Sequence, residues 1–134
     1  MPGTSSQPPL PPARAMTDPE ILDPTALDRL REWGGDKLLG QMIRLFLDNS
    51  PTRMDQIRAA VNGGEIRDAE RAAHSLKSTA ANLGAEELRA LAAELEAVAA
   101  TRDPHATRAC LAELERAHVR AVSALESIEE GMGT

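Results

Sequence analysis

Three dipeptides, Asp23-Pro24, Ser50-Pro51 and Asp103-Pro104, punctuate this chain of 134 residues as a series of helices. In each, a side chain able to accept from free backbone N–H groups precedes a proline, whose fixed φ and missing donor suit the first helical turn. The matching stops are Gly34-Gly35, Asn62-Gly63-Gly64 and Gly84. Left-handed backbone angles are cheap for glycine and tolerable for asparagine, so a helix can end there. No stretch sustains the alternation of apolar and polar residues that a half-buried strand requires.

The spacing predicts helices over 24–33, 36–49 with a continuation over 51–61, 65–83, 85–100 and 104–130. Pro51 either ends a helix or kinks one long one. Leu38, Met42, Leu45 and Phe46 fit one face of the second helix. Leu88, Leu91, Leu95 and Val98 do so on the fifth, and Leu111, Leu114, Ala121, Leu125 and Ile128 on the last. Connections this short force antiparallel neighbours. The expected fold is all-α: an antiparallel up-and-down four-helix bundle with a short extra N-terminal helix across one end. Aromatic residues make up only 1% of the chain, Trp33 and Phe46, so the core must be aliphatic.

Residues 1–18 are rich in Pro, Ser and Gly and cannot bury enough apolar surface to pack. They are expected to form a flexible leader before a domain over 19–131. Pro8-Pro9-Leu10-Pro11-Pro12 reads as linker ahead of recognition peptide, and Met16 is an alternative start. A hydrophobic content of 42%, a charged content of 27% and a net charge of -6 bound the chain to one domain with a modest core. An acidic balance without stacking aromatics argues against nucleic acid. No segment approaches the roughly 20 apolar residues needed to cross a bilayer, and no export signal is evident, so no membrane association is expected. Cys110 is the sole cysteine, which excludes an internal disulfide and makes a cytoplasmic location the simpler one. Its place near an apolar stripe reads as a buried structural thiol.

Within 65–83, Ala69, Ala72, Ala73, Leu76, Ala80 and Leu83 form one stripe, and at about 100° per residue His74 lies about 200° from Leu76. The imidazole therefore points outward. Arg67, Arg71, Lys77 and Ser78, at offsets of seven, three, three and four, fall on its side of the helix. A neutral imidazole is a competent nucleophile near pH 7 without a separate base. Phosphoryl transfer depends mainly on in-line positioning and on neutralising charge at the transferring oxygens. An ammonium one turn away at Lys77 would offset part of the charge on a phosphorylated His74. A small residue at Ser78 would leave clearance for the group and for an approaching loop. A surface histidine alone carries no such meaning; its neighbours supply it.

Ala73-His74-Ser75-Leu76-Lys77-Ser78, then Asn82-Leu83-Gly84-Ala85, then Leu88, Leu91, Leu95 and Glu96 resembles the signature of histidine-containing phosphotransfer (HPt) domains. That pattern reads His-x-Leu-Lys-Gly or Ser, a run of small residues, Leu-Gly, and a leucine-spaced helix ending Leu-Glu. Ser78 departs from the glycine of many members. The resemblance implies the same four-helix bundle and a phosphoryl carrier in a two-component phosphorelay. His74 would accept the group from a receiver-domain aspartate and pass it to another, with Lys77 steadying its oxygens. Gly84 would permit the tight turn into the next helix. Docking would use Ala81 and the short helix containing Leu27 and Leu30, with Arg67 and Arg71 orienting the encounter. Partners would be receiver domains, with a hybrid histidine kinase as a further candidate, and the carrier would work as a monomer. Any magnesium would be the receiver's, so neither cofactor nor metal is expected here.

Other constellations are weaker. Glu115-Arg116-Ala117-His118 has the spacing used by carboxylate-bridged metal bundles, but such sites need a second copy and further glutamates. His118 reads instead as a core or boundary histidine with a bonded ring nitrogen, and His105 as a solvated one. No phosphate-cradling glycine loop is present, so the chain is expected to carry phosphate and not to act as a kinase. Ser75 and Leu76 follow the histidine, where the phosphoacceptor helix of a sensor kinase usually has an acidic residue. Two alternatives remain: a bundle that binds or inhibits a kinase or receiver without carrying phosphate, and a detached phosphoacceptor domain of a chemotaxis-type kinase.

Overall fold

A computed structural model describes residues 18–133, and every regular element among them is helical. The expected leader lies outside the described residues except for Asp18, whose carboxylate accepts from the Glu20 N–H at 2.8 Å and whose carbonyl closes a turn onto Ile21 and Leu22. Leu22 is already core.

Helix α1 (Pro24–Asn62) starts as its sequence dictates: the Asp23 carboxylate accepts from the Thr25 N–H, with Pro24 in the first turn. The helix is broken at Gly34 and Gly35, where Gly35 takes φ 68 and ψ -168, a conformation open essentially to glycine alone. Residues 24–33 thereby become the short N-terminal helix. They lie against the end of the bundle, with Asp23 N–H donating to the Gly84 carbonyl at 2.7 Å and Glu87 N–H to the Glu20 carbonyl at 2.9 Å. Helices α2 (Ile66–Asn82), α3 (Glu86–Ala100) and α4 (Pro104–Gly133) follow. Each packs on its sequence neighbour, and α4 closes back onto α1, giving an up-and-down four-helix bundle.

Two details of α1 differ from the sequence expectation. Ser50-Pro51 does not start a helix. The chain runs helically through Pro51, and the Ser50 hydroxyl is buried, sharing a 2.8 Å hydrogen bond with His118 Nε2. A proline inside a helix costs about 3 kcal/mol. Burial of Phe46, Met54 and Ile57 on the same stripe offsets it, because an aliphatic or aromatic side chain contributes about 1.5–3 kcal/mol when fully buried. The second difference is phase. Leu39, Ile43 and Phe46 form the buried face of 36–62, Leu38 and Met42 only flank it, and Leu45 is 56% exposed. The run from Leu38 to Leu47 is apolar on nearly all sides, so spacing within it does not select a face. The stripe further along, through Ser50, Met54, Ile57 and Val61, sets the rotation.

The stripe of α2, Ala69, Ala72, Ala73, Leu76 and Ala80, is buried, as are Leu88, Ala92, Leu95 and Ala99 of α3 and Leu111, Leu114, Ala121 and Leu125 of α4. Alanine on the facing stripes lets the helices approach closely. Cys110 is buried, with its thiol pushed up to about 11 by burial and by the nearby Glu94 carboxylate.

Candidate functional site

The apolar stripe of α2 fixes its rotation against α3, and His74, next to Ala73, is thereby turned to solvent. Its side chain is 59% exposed. The turn Leu83-Gly84-Ala85 folds α3 back beside α2 and sets the register. Gly84 has φ 68, and an added Cβ would lie 2.7 Å from Ala26 Cβ and 3.0 Å from the Asp23 carbonyl oxygen. Glycine is required there twice over, by backbone angle and by space.

That register brings Glu96 of α3 to the histidine. Glu96 Oε2 lies 3.1 Å from His74 Nδ1, and Oε1 accepts from Lys77 Nζ at 2.8 Å. The Lys77 ammonium holds the Glu96 carboxyl below its ordinary value, His74 adds to this, and partial burial acts against it. An ionised carboxylate only accepts, so Nδ1 carries the hydrogen. The lone pair of the neutral ring is then on Nε2, on the outward side. The site is a nucleophilic nitrogen facing water beside an ammonium 29% exposed, both tied to one carboxylate.

The remaining expected residues are distributed as follows. Ser78 and Ala81 are exposed on the histidine's side of α2. Arg71 is exposed and pairs with Asp68 at 3.4 Å, and Arg67 is exposed near the start of α2 beside Arg102. The basic stripe expected around the imidazole is therefore reduced. Lys77 is bridged to it through Glu96, and Arg71 is engaged with its own helix. Leu27 and Leu30, expected on the docking face, are 5% and 7% exposed and belong to the core. With a spacing of three they point from 24–33 into the bundle. The exposed large apolar side chain of that segment is Trp33, 71% exposed at the helix break. It lines a groove of about 380 Å³ with Ala26, Arg29, Leu30, Leu38, Met42, Ala81 and Asn82, so Leu30 borders the groove although most of its surface is buried.

Sequence reasoning assigned no role to Glu96, although it stands in the quoted motif. A signal existed: His74 and Glu96 each lie eleven residues from Ala85, so a hairpin of helices centred there sets them opposite. Glu115 and His118 do not act together. Glu115 pairs with Arg58 at 2.6 Å, and His118 bonds Ser50. Among the described residues no group of three or more His, Cys, Asp or Glu side chains is placed to hold a metal ion, and no helix is long and apolar enough to cross a membrane.

Comparison with known proteins gives two findings. The family model described as the Hpt domain matches residues 41–127. Among solved structures, the chain is similar to histidine-containing phosphotransfer protein B (HptB) from Pseudomonas aeruginosa PAO1, with a TM-score of 0.77 and 24% identity, covering 82% of this chain and 95% of that one. At that identity the likeness is one of fold. No curated protein sequence matches.

Proposed function

Since this chain belongs to the family of Hpt domains, we propose that it carries a phosphoryl group on His74 between the aspartates of two receiver domains in a two-component phosphorelay. The Nε2 lone pair attacks the phosphorus of an aspartyl phosphate, the Nε2–P bond forms, and the acyl P–O bond breaks to release the carboxylate. The same steps in reverse load a second receiver. The receiver brings any magnesium. Lys77, within reach of both His74 and Glu96, neutralises charge on the transferring oxygens, and Ser78 leaves them room.

One observation carries this reading: an exposed imidazole whose Nδ1 is occupied by Glu96, leaving Nε2 toward solvent beside Lys77. The groove bordered by Trp33 and Ala81 supports a docking surface on the same side as the histidine. Arg29, Arg67 and Arg71 would orient an acidic receiver whose approach the overall charge of -6 does not favour. One copy supplies the whole triad, consistent with a monomeric carrier. The domain is the bundle over 19–131, its donor can be the receiver of a hybrid kinase, and a relay between receivers places it in the cytoplasm.

The test is to mix the protein with a phosphorylated receiver domain and follow acid-labile, base-stable label. Wild type should acquire it and His74→Gln should lose it completely. Label that persists in His74→Gln removes the assignment.

A further inference from the structure

The end of the bundle away from Gly84, where α1 and α3 finish and α2 and α4 begin, holds a cavity of about 180 Å³ that is open at one side. Ala60, Val61, Ile66, Ala69, Ala99 and Pro104 line it. Three of these are buried alanines, and side chains that short leave unfilled the space that leucines occupy elsewhere in the core. Thr107, the buried polar side chain there, donates its hydroxyl hydrogen to the Asp103 carbonyl at 2.7 Å, and among the described residues no buried side-chain nitrogen or oxygen lacks a partner. A water inside would need two to four polar partners, which this lining does not offer. The interior suits hydrocarbon. An apolar cavity of about 150 Å³ holds benzene, so this one has room for about seven carbons.

The mouth is polar, and one residue stands there against the preference of its backbone. Arg102, just past α3, has φ 64. The other left-handed positions among the described residues, Gly35, Gly64 and Gly84, are all glycine, because a side chain costs stability at such an angle. Strain that persists in a side-chain-bearing residue points to a function for the side chain. Arg102 borders the cavity and lies beside Arg67, and neither guanidinium has an ion-pair partner among the described residues. Of the carboxylates nearby, Asp68 is engaged by Arg71, and Asp103 by the N–H groups of His105 and Ala106. Only Glu65 is uncommitted, against two guanidinium groups.

We propose that this cavity binds a medium-chain carboxylate, with its alkyl chain among the alanines and its carboxylate on Arg102. The site is separate from His74 and does not depend on phosphoryl transfer.

The test is NMR of the ¹³C-methyl- and ¹⁵N-labelled full chain titrated with octanoate, octanol or octylamine, each below the concentration at which it aggregates. Octanoate should shift Val61, Ile66, Ala69, Ala99 and Thr107 saturably. It should bind about threefold to tenfold tighter than octanol, the range expected of one screened charge pair, and octylamine should bind weakest. Arg102→Gly should relieve the backbone and raise the urea midpoint while lowering octanoate affinity to that of octanol, and Arg102→Lys should keep the preference for the anion. Ala99→Leu should fill the cavity and abolish the shifts, and Arg102→Gly keeps the test decisive if that variant fails to fold. Absence of saturable octanoate shifts at these residues, octanol binding as tightly as octanoate, or wild-type octanoate affinity in Arg102→Gly overturns the proposal. So would nuclear Overhauser contacts, in ligand-free protein, from the cavity methyls to residues 1–17 or to a second copy, since these would name another occupant.

Discussion

An ammonium 2.8 Å from a carboxylate is already committed before any phosphoryl group arrives, and this governs what Lys77 can contribute. Pairs this exposed are worth about 0–1 kcal/mol, so releasing Lys77 from Glu96 is easy, whereas a charge-assisted bond to a phosphoryl oxygen is stronger. Lys77→Ala should therefore slow loading of His74 from a phosphorylated receiver by about tenfold, roughly 1.4 kcal/mol of activation free energy, without moving the label to another residue. A time course of label transfer checks this, and an unchanged rate would remove Lys77 from the mechanism. At this scale the motif was legible: His74, Lys77 and Ser78 fall on one helical face from spacing alone. What spacing on one helix cannot provide is a contact from another. Glu96 reaches the imidazole across 22 residues, and Leu27 and Leu30 turn inward, because α3 and the bundle core meet those faces.

At the scale of elements, the turns decide more than the helices do. Gly84 joins α2 to α3 and also receives the N-terminal segment, since its carbonyl accepts from the Asp23 N–H. Gly84→Ala combines a left-handed angle unfavourable to a side chain with a Cβ driven against Ala26 and Asp23. It should destabilise the protein by about 2–4 kcal/mol, read as a lower urea midpoint at unchanged slope. A loss below about 0.5 kcal/mol would mean that the turn relaxes freely. Of the three proline dipeptides, Asp23-Pro24 and Asp103-Pro104 do open helices, with Asp103 accepting from His105 and Ala106 N–H groups. Ser50-Pro51 has the same local chemistry and a different outcome. The apolar stripe continues across it, and tertiary burial outweighs the local signal. The phase of 36–62 was illegible for a related reason: a segment apolar on nearly all sides acquires a buried face only from the helices that pack on it.

Across the whole molecule, α1 and α4 are joined by a pair that no single helix contains. His118 lies between them, bonded to buried Ser50 and 6.3 Å from the Phe46 ring, with Glu115 of its own helix turned to Arg58 of α1. Burial, with the Arg58 guanidinium adding to it, lowers the His118 pKa below its ordinary 6.5. The unfolded chain therefore binds this proton more readily than the folded one. Its contribution to stability is complete above pH 6.5 and is lost progressively as pH falls below that value. Glu96, with its pKa lowered from 4.5, contributes a separate loss only at more acidic pH. Urea midpoints should drop between pH 7.5 and 5.5 by more in wild type than in His118→Gln, and equal drops would show that the folded ring protonates without penalty.

Periodicity, caps and glycine stops determined by themselves that this chain is a helical bundle, that α2 presents His74 outward, and that Lys77 shares its face. Those are properties of one helix, fixed by an advance of about 100° per residue. Tertiary packing alone decided the rotation of 36–62, the passage of the helix through Pro51, the exposure of Trp33 and the arrival of Glu96 at Nδ1. Each of those depends on which surface of one helix meets another, and that is settled by the area buried between them.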